Sequence, residues 1–132
     1  MPVPPARRRF ARSAVAVGAF RVVCMLVVTR YEVPDDEIDR FRELAAEAVA
    51  ALSERVGCQQ VRFGRNLDEP RLWVLASSWR QVGDYRRALS HPEVKVRAVP
   101  LMYRCIDEPS AYEDLLTWDP VEGVAEHVSD LA

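Results

Sequence analysis

An α+β domain of order βαββαβ, its antiparallel sheet carrying helices on one face, is the fold this 132-residue chain predicts. Three observations lead there. Arg71–Trp79 alternates with a period of two and contains no Gly or Pro, so it reads as a strand. Its two sides, Leu72, Val74 and Ala76 against Trp73, Leu75 and Trp79, are both apolar, which marks a central strand covered on both faces. Between Asp36 and Val56 the residues Ile38, Phe41, Ala45, Ala48 and Leu52 recur at helical spacing, joined by Leu44 and Val49. Asn66-Leu67-Asp68-Glu69-Pro70 is turn chemistry between two alternating runs, as in a strand hairpin. A chain of this length is one domain with room for a real core.

Taken in order, Met25–Val33 is the first strand, with Val27, Thr29, Tyr31 and Val33 on one face and Leu26, Val28, Arg30 and Glu32 on the other. Pro34 ends it, and Asp35 or Asp36 is expected to cap the following helix. Asp36, Glu37 and Asp39 suit the positive end of that helix, Arg55 is expected in its last turn, and Gly57 supplies a left-handed stop. Cys58–Arg65 is the second strand. Gln81–Leu89 is a short second helix, broken at Ser90-His91-Pro92 because the residue before a proline avoids helical angles. Glu93–Cys105 reads as short helical turns interrupted at Pro100, Ser110–Leu116 as the last strand, and Thr117–Ala132 as a tail with a weak helical turn or two. This is the ferredoxin-like arrangement. Helices on one face leave Leu26, Val28, Leu72, Val74 and Ala76 uncovered on the other, and a homodimer packed sheet against sheet is the economical cover.

Hydrophobic content of 49% and charged content of 29% are those of a soluble globular protein. The net charge of −2 conceals an asymmetry: residues 1–24 hold five arginines and no acid, while the rest holds 13 basic residues against 20 acidic ones. An acidic core lacks the clustered basic face that phosphate backbones require, so nucleic acid is not the expected partner. Arg7-Arg8-Arg9-Phe10 superficially resembles an export signal, but Arg21 interrupts the short apolar run Ala14–Phe20 and no small-x-small cleavage site follows. Nothing approaches the roughly 18 apolar residues of a membrane span. Residues 1–24 therefore read as a poorly ordered basic extension, or as a start set too early with Met25 the natural first residue. Residues 25–116 are the expected domain and 117–132 the tail. Cys24, Cys58 and Cys105 are odd in number and lack disulfide or metal spacing, which reads as reduced thiols in a cytoplasmic protein.

The series VVTRYEVP, ERVGCQQVRFGRNLDEP, WVLASSWRQVGDYRRAL and DEPSAYEDL resembles the antibiotic-biosynthesis-monooxygenase-like proteins of the dimeric α/β-barrel superfamily, over roughly residues 25–116. The resemblance implies a dimer whose two sheets form a barrel, with a pocket between sheet and helices in each subunit. Some members oxygenate aromatic polyketide-type substrates without metal, flavin or haem; others bind and degrade haem. Cofactor-free oxygenation needs an electron-rich substrate, a dry apolar pocket, help in removing a proton, and donors for the developing oxyanion. No Gly-rich phosphate loop, HExxH, CxxC or carboxylate–His cluster at metal spacing is present, so neither cofactor nor metal is expected.

On this resemblance Trp79 and Tyr85, six residues apart, match the pocket aromatics. Tyr85 acts as a base only if a cation such as Arg86 or Arg97 lowers a phenol pKa of ~10. His91, the one histidine inside the domain, is the alternative base, since an imidazole titrates near neutrality. Tyr85, Trp79, His91 and Arg97 are thus the candidate catalytic residues; Thr29, Tyr31, Phe41, Trp73, Leu75 and Leu89 are the candidate lining of a hydrophobic small-molecule pocket. Each has a plain structural reading too: Trp79 and Tyr31 as core, Tyr85 as an apolar helix face, His91 as an exposed cap, Arg97 as surface. The haem branch's pocket asparagine, helix tryptophan and iron-binding histidine fall at Thr29, Ala88 and Arg97, so haem turnover is not expected. Two readings follow: a cofactor-independent monooxygenase of an aromatic compound, and a non-catalytic dimeric binding module on the same scaffold.

Overall fold

The computed structural model describes residues 24–129 and 131. Strands β1 (Met25–Glu32), β2 (Cys58–Arg65), β3 (Leu72–Trp79) and β4 (Ala111–Glu113) form one antiparallel sheet in the order β2-β3-β1-β4. α1 (Ile38–Ser53) crosses from β1 to β2 and leaves a gap that β3 fills. α2 (Val82–Ser90), α3 (Pro92–Arg97) and α4 (Val99–Met102) then carry the chain back to β4. This is the expected ferredoxin-like α+β architecture, and within one chain the sheet is open rather than a closed barrel.

Register puts Met25 opposite Trp79, Thr29 opposite Leu75 and Tyr31 opposite Trp73. With a side-chain period of two, the odd residues of both central strands share one face. Met25, Val27, Thr29, Tyr31, Trp73, Leu75, Ser77 and Trp79 are all buried there, beneath Phe41, Ala45, Ala48, Ala51 and Leu52 of α1. The alanines let the helix lie close. The even residues Leu26, Val28, Leu72, Val74 and Ala76 form the other face and are half-buried. Arg30 sits among them, its Nε and terminal nitrogen each donating at 2.7 Å to the Glu108 carboxylate.

Several expectations are corrected. Neither Asp35 nor Asp36 caps α1: with Glu37 they form a single 3₁₀ turn after Pro34, and α1 starts without a side-chain cap bond. Their charge still lies at the positive end of the helix. α1 stops at Ser53, so Arg55 lies beyond it, while Gly57 at φ +87° turns the chain as expected. The short helical turns are interrupted as expected, but the break falls at Ala98, and Pro100 itself lies in the first turn of α4, where its missing amide is not needed. The last sheet strand is only three residues long, although the Asp114 amide still donates to the Cys24 carbonyl at 3.0 Å, one rung beyond the Met25–Glu113 pair. The tail is not helical: β5 (Leu116–Asp119) and β6 (Gly123–Glu126) form a hairpin. Asp119 Oδ1 accepts from the amides of Val121 at 2.8 Å and Glu122 at 2.7 Å, and Gly123 at φ +77° completes the turn. The expectation for residues 1–24 falls, Cys24 apart, outside the described residues.

Among the described residues one charged group is buried. Asp84, in the first turn of α2, is 2% exposed and is held by Arg87 at 2.6 Å and Arg80 at 2.9 Å. The Arg87 hydrogen bond, opposed by burial and helped by Arg80, keeps its carboxyl below the usual range. Gly57 lies against this carboxylate, so a Cβ there would collide with it.

Candidate active site

β3 ends on Trp79, and the turn into α2 brings Tyr85 back over it. The two rings lie 5.4 Å apart at 56°. Trp79 is fully buried, and its indole N–H donates to Ser77 Oγ at 2.8 Å. Tyr85 is only part-buried. Along β1, Thr29 Oγ1 donates to the Leu75 carbonyl at 3.4 Å, which leaves its oxygen to accept the Tyr31 hydroxyl at 2.7 Å.

Burial pushes the Tyr31 phenol up to about 12, against a downward pull from Thr29, with Cys105 and Tyr85 adding to the rise. Tyr85 is raised as well, by burial first and then by Cys105. Both are therefore neutral phenols at physiological pH. Neither is a base; Tyr85 is suited to donate a hydrogen bond. The cation expected to lower it is elsewhere: Arg97 is spent on Glu47 at 2.8 Å and Glu93 at 3.3 Å on the helical surface, and Arg86 is exposed. His91 caps α3, its Nδ1 accepting from the Glu93 amide at 3.1 Å. The structure thus brings Thr29, Tyr31, Trp79 and Tyr85 into one layer and leaves His91 and Arg97 outside it.

Two further candidates, Phe41 and Trp73, gather at the opposite end of β3. Phe41, Phe63 and Trp73 cluster with Tyr31: the Phe41 ring lies 5.3 Å from Tyr31 and 5.9 Å from Trp73, and Trp73 stacks on Phe63 at 5.3 Å. Arg65 lies 4.7 Å over Trp73. Trp73 and Trp79 are six residues apart along a strand, about 20 Å at ~3.3 Å per residue, so they do not line one small pocket. Leu75 is buried between them, and Leu89 packs at the margin of the core. An open groove of about 390 Å³ lies on the outer side of α1 against β2, lined by Arg42, Ala45, Ala46, Val49, Ala50 and Phe63.

Sequence reasoning missed Cys105 and Ser77. The Ile106 amide donates to the Arg30 carbonyl at 2.7 Å, which fixes Cys105 near Tyr31 and Tyr85. Ser77 is legible in retrospect as the only polar residue among the odd positions 73–79. Among the described residues no group of three or more His, Cys, Asp or Glu side chains is placed to hold a metal ion, and no helix is long and apolar enough to cross a membrane.

A sequence model of the antibiotic biosynthesis monooxygenase family matches residues 25–97, and the chain belongs to that family. No curated protein matches it. Among solved structures it is similar to SnoaB, a cofactor-independent oxygenase from Streptomyces nogalater, at 20% identity and a TM-score of 0.55 over 69% of this chain and 88% of that one. A conserved protein from Methanosarcina mazei Go1 aligns at 18% identity and a TM-score of 0.59, over 71% and 96%. A conserved protein of unknown function from Bacteroides thetaiotaomicron aligns at 12% and 0.60, over 71% and 99%. At these identities the likeness is one of fold.

Proposed function

We propose that this chain is a homodimeric, cytoplasmic, cofactor-independent monooxygenase acting on a hydrophobic aromatic molecule of polyketide type. The observation that carries the reading is Tyr85, a neutral phenol set against the buried Trp79 ring at the rim of an apolar layer. Family membership and the SnoaB fold likeness support it. An anthrone-type substrate loses a proton from its activated CH₂ to solvent, and its carbanion passes an electron to dioxygen. Recombination gives a hydroperoxide, which loses water to leave a ketone. One oxygen atom enters the product and the other leaves as water; the substrate supplies all four electrons. Tyr85 donates to the developing oxyanion and Trp79 provides a flat apolar wall.

Oxygen uptake with an anthrone-type substrate tests this. Tyr85→Phe should lose about 10²-fold in rate, as for removal of one oxyanion donor. Trp79→Phe should lose less. Equal rates in wild type and both variants would overturn the assignment. The dimer, closed through the half-buried even-residue face, should give the mass of two chains by light scattering, and a single-chain mass at micromolar concentration refutes it. A second reading, a non-catalytic dimeric binding module, is favoured by the tightness of the layer, since Trp79 and Tyr31 are 0% and 1% exposed. It predicts ligand-induced change in tryptophan fluorescence with no oxygen uptake.

A further inference from the structure

The β5–β6 hairpin is built for contact and has little of it. Its strands pair with each other, Leu116 with Glu126 and Trp118 with Val124, and lie against little else of their own chain. Period two puts Leu116, Trp118 and Val124 on one face, at 67%, 58% and 40% exposure. An isolated two-stranded hairpin is marginal in water, and one that holds an indole in solvent is more so. Yet its turn is well made, and Thr117 Oγ1 and His127 Nε2 close its open end at 2.8 Å. From Cys105 to Ala132 the chain has eight acidic residues and no Lys or Arg. Glu126 shares the apolar face.

The groove on α1 and β2 is its complement. Ala45, Ala46, Val49, Ala50 and Phe63 make an apolar trough with Arg42 in its lining, and among the described residues Arg42 forms no ion pair. The hairpin follows β4 in the chain and the groove borders β2, the two outer strands of the four-stranded sheet, which lie three strand spacings or about 14 Å apart. The hairpin does not turn back toward its own groove.

We infer that the hairpin of one copy docks in the α1–β2 groove of a second copy, Trp118 and Leu116 entering the alanine trough and Glu126 pairing with Arg42. This contact is separate from the sheet-to-sheet closure proposed above and stands without it.

Two full-length variants test it. Arg42 and Glu126 are both exposed, so Arg42→Glu and Glu126→Arg leave the fold intact. Each variant alone meets like charge at every docked hairpin. In a mixture, the unaltered acidic arm of the Arg42→Glu copy finds the unaltered basic groove of the Glu126→Arg copy. The charge-reversed arm likewise finds the charge-reversed groove, so both contacts are restored. Native mass spectrometry of an equimolar mixture should show the ratio of heteromer to homomers about fivefold above its binomial value of one. A binomial distribution overturns the inference, because it is what closure through the sheets alone, docking within one chain, or a different occupant of the groove would give. Absence of any association overturns it as well.

Discussion

The two faces of the central sheet arise from one alternation and end up unlike. On the helical side the odd residues of β1 and β3 are at most 5% exposed, and their polar groups are paired, Thr29 with Tyr31 and Ser77 with Trp79. On the other side Leu26, Val28, Leu72, Val74 and Ala76 are half-buried, and Arg30 among them is tied to Glu108. The difference teaches that burial and stickiness are separate outcomes of the same pattern. One face is finished by its own chain and sets the fold; the other is suited to a partner.

The sharpest way to break this comparison is to truncate both faces and measure denaturant unfolding in dilute solution. Trp79→Ala should cost about 3–5 kcal/mol, the usual range for a buried aromatic. Val74→Ala, losing half-buried methyl groups, should cost about 1 kcal/mol. Similar losses would mean the faces are not energetically distinct. Next in size is Gly57→Ala: the left-handed φ alone costs about 1–2 kcal/mol, and the new Cβ also displaces the Asp84 carboxylate. A neutral result would show that the junction of β2 and α2 is looser than its geometry.

The smallest effect concerns pH. The folded Asp84 carboxyl lies below its unfolded value of ~3.9, so its contribution is complete above that value and fades as pH falls through the folded one. The stability gap between wild type and Asp84→Asn should therefore be constant from neutrality down to about pH 4 and narrow below it. A gap that persists unchanged into strong acid would remove Asp84 from the account.

How much was legible follows from the range of the interactions involved. Face assignment in residues 25–33 and 71–79 needs only the alternation itself, and Trp79 meets Tyr85 because six residues span one strand end and one helical turn. His91 and Arg97 were misplaced because their partners decide their positions: Glu93 holds the imidazole, and Glu47, fifty residues distant, takes the guanidinium. Nothing local in the sequence marks Cys105, whose place is set by the neighbouring Ile106 amide bonding to the Arg30 carbonyl. The hairpin escaped notice because four-residue strands carry little periodicity, leaving Asp119-Pro120 and Gly123 as its only local signs.

The segment between α4 and β4 is fastened to β1 three times over: Ile106 N to the Arg30 carbonyl, Glu108 to the Arg30 guanidinium, and Ser110 O to the Val28 amide, each at 2.7 Å. The acidic arm thus springs from a clamped fulcrum rather than a swivel. Its bearing is set before any encounter, so less orientational freedom remains to be surrendered when its tip is seated.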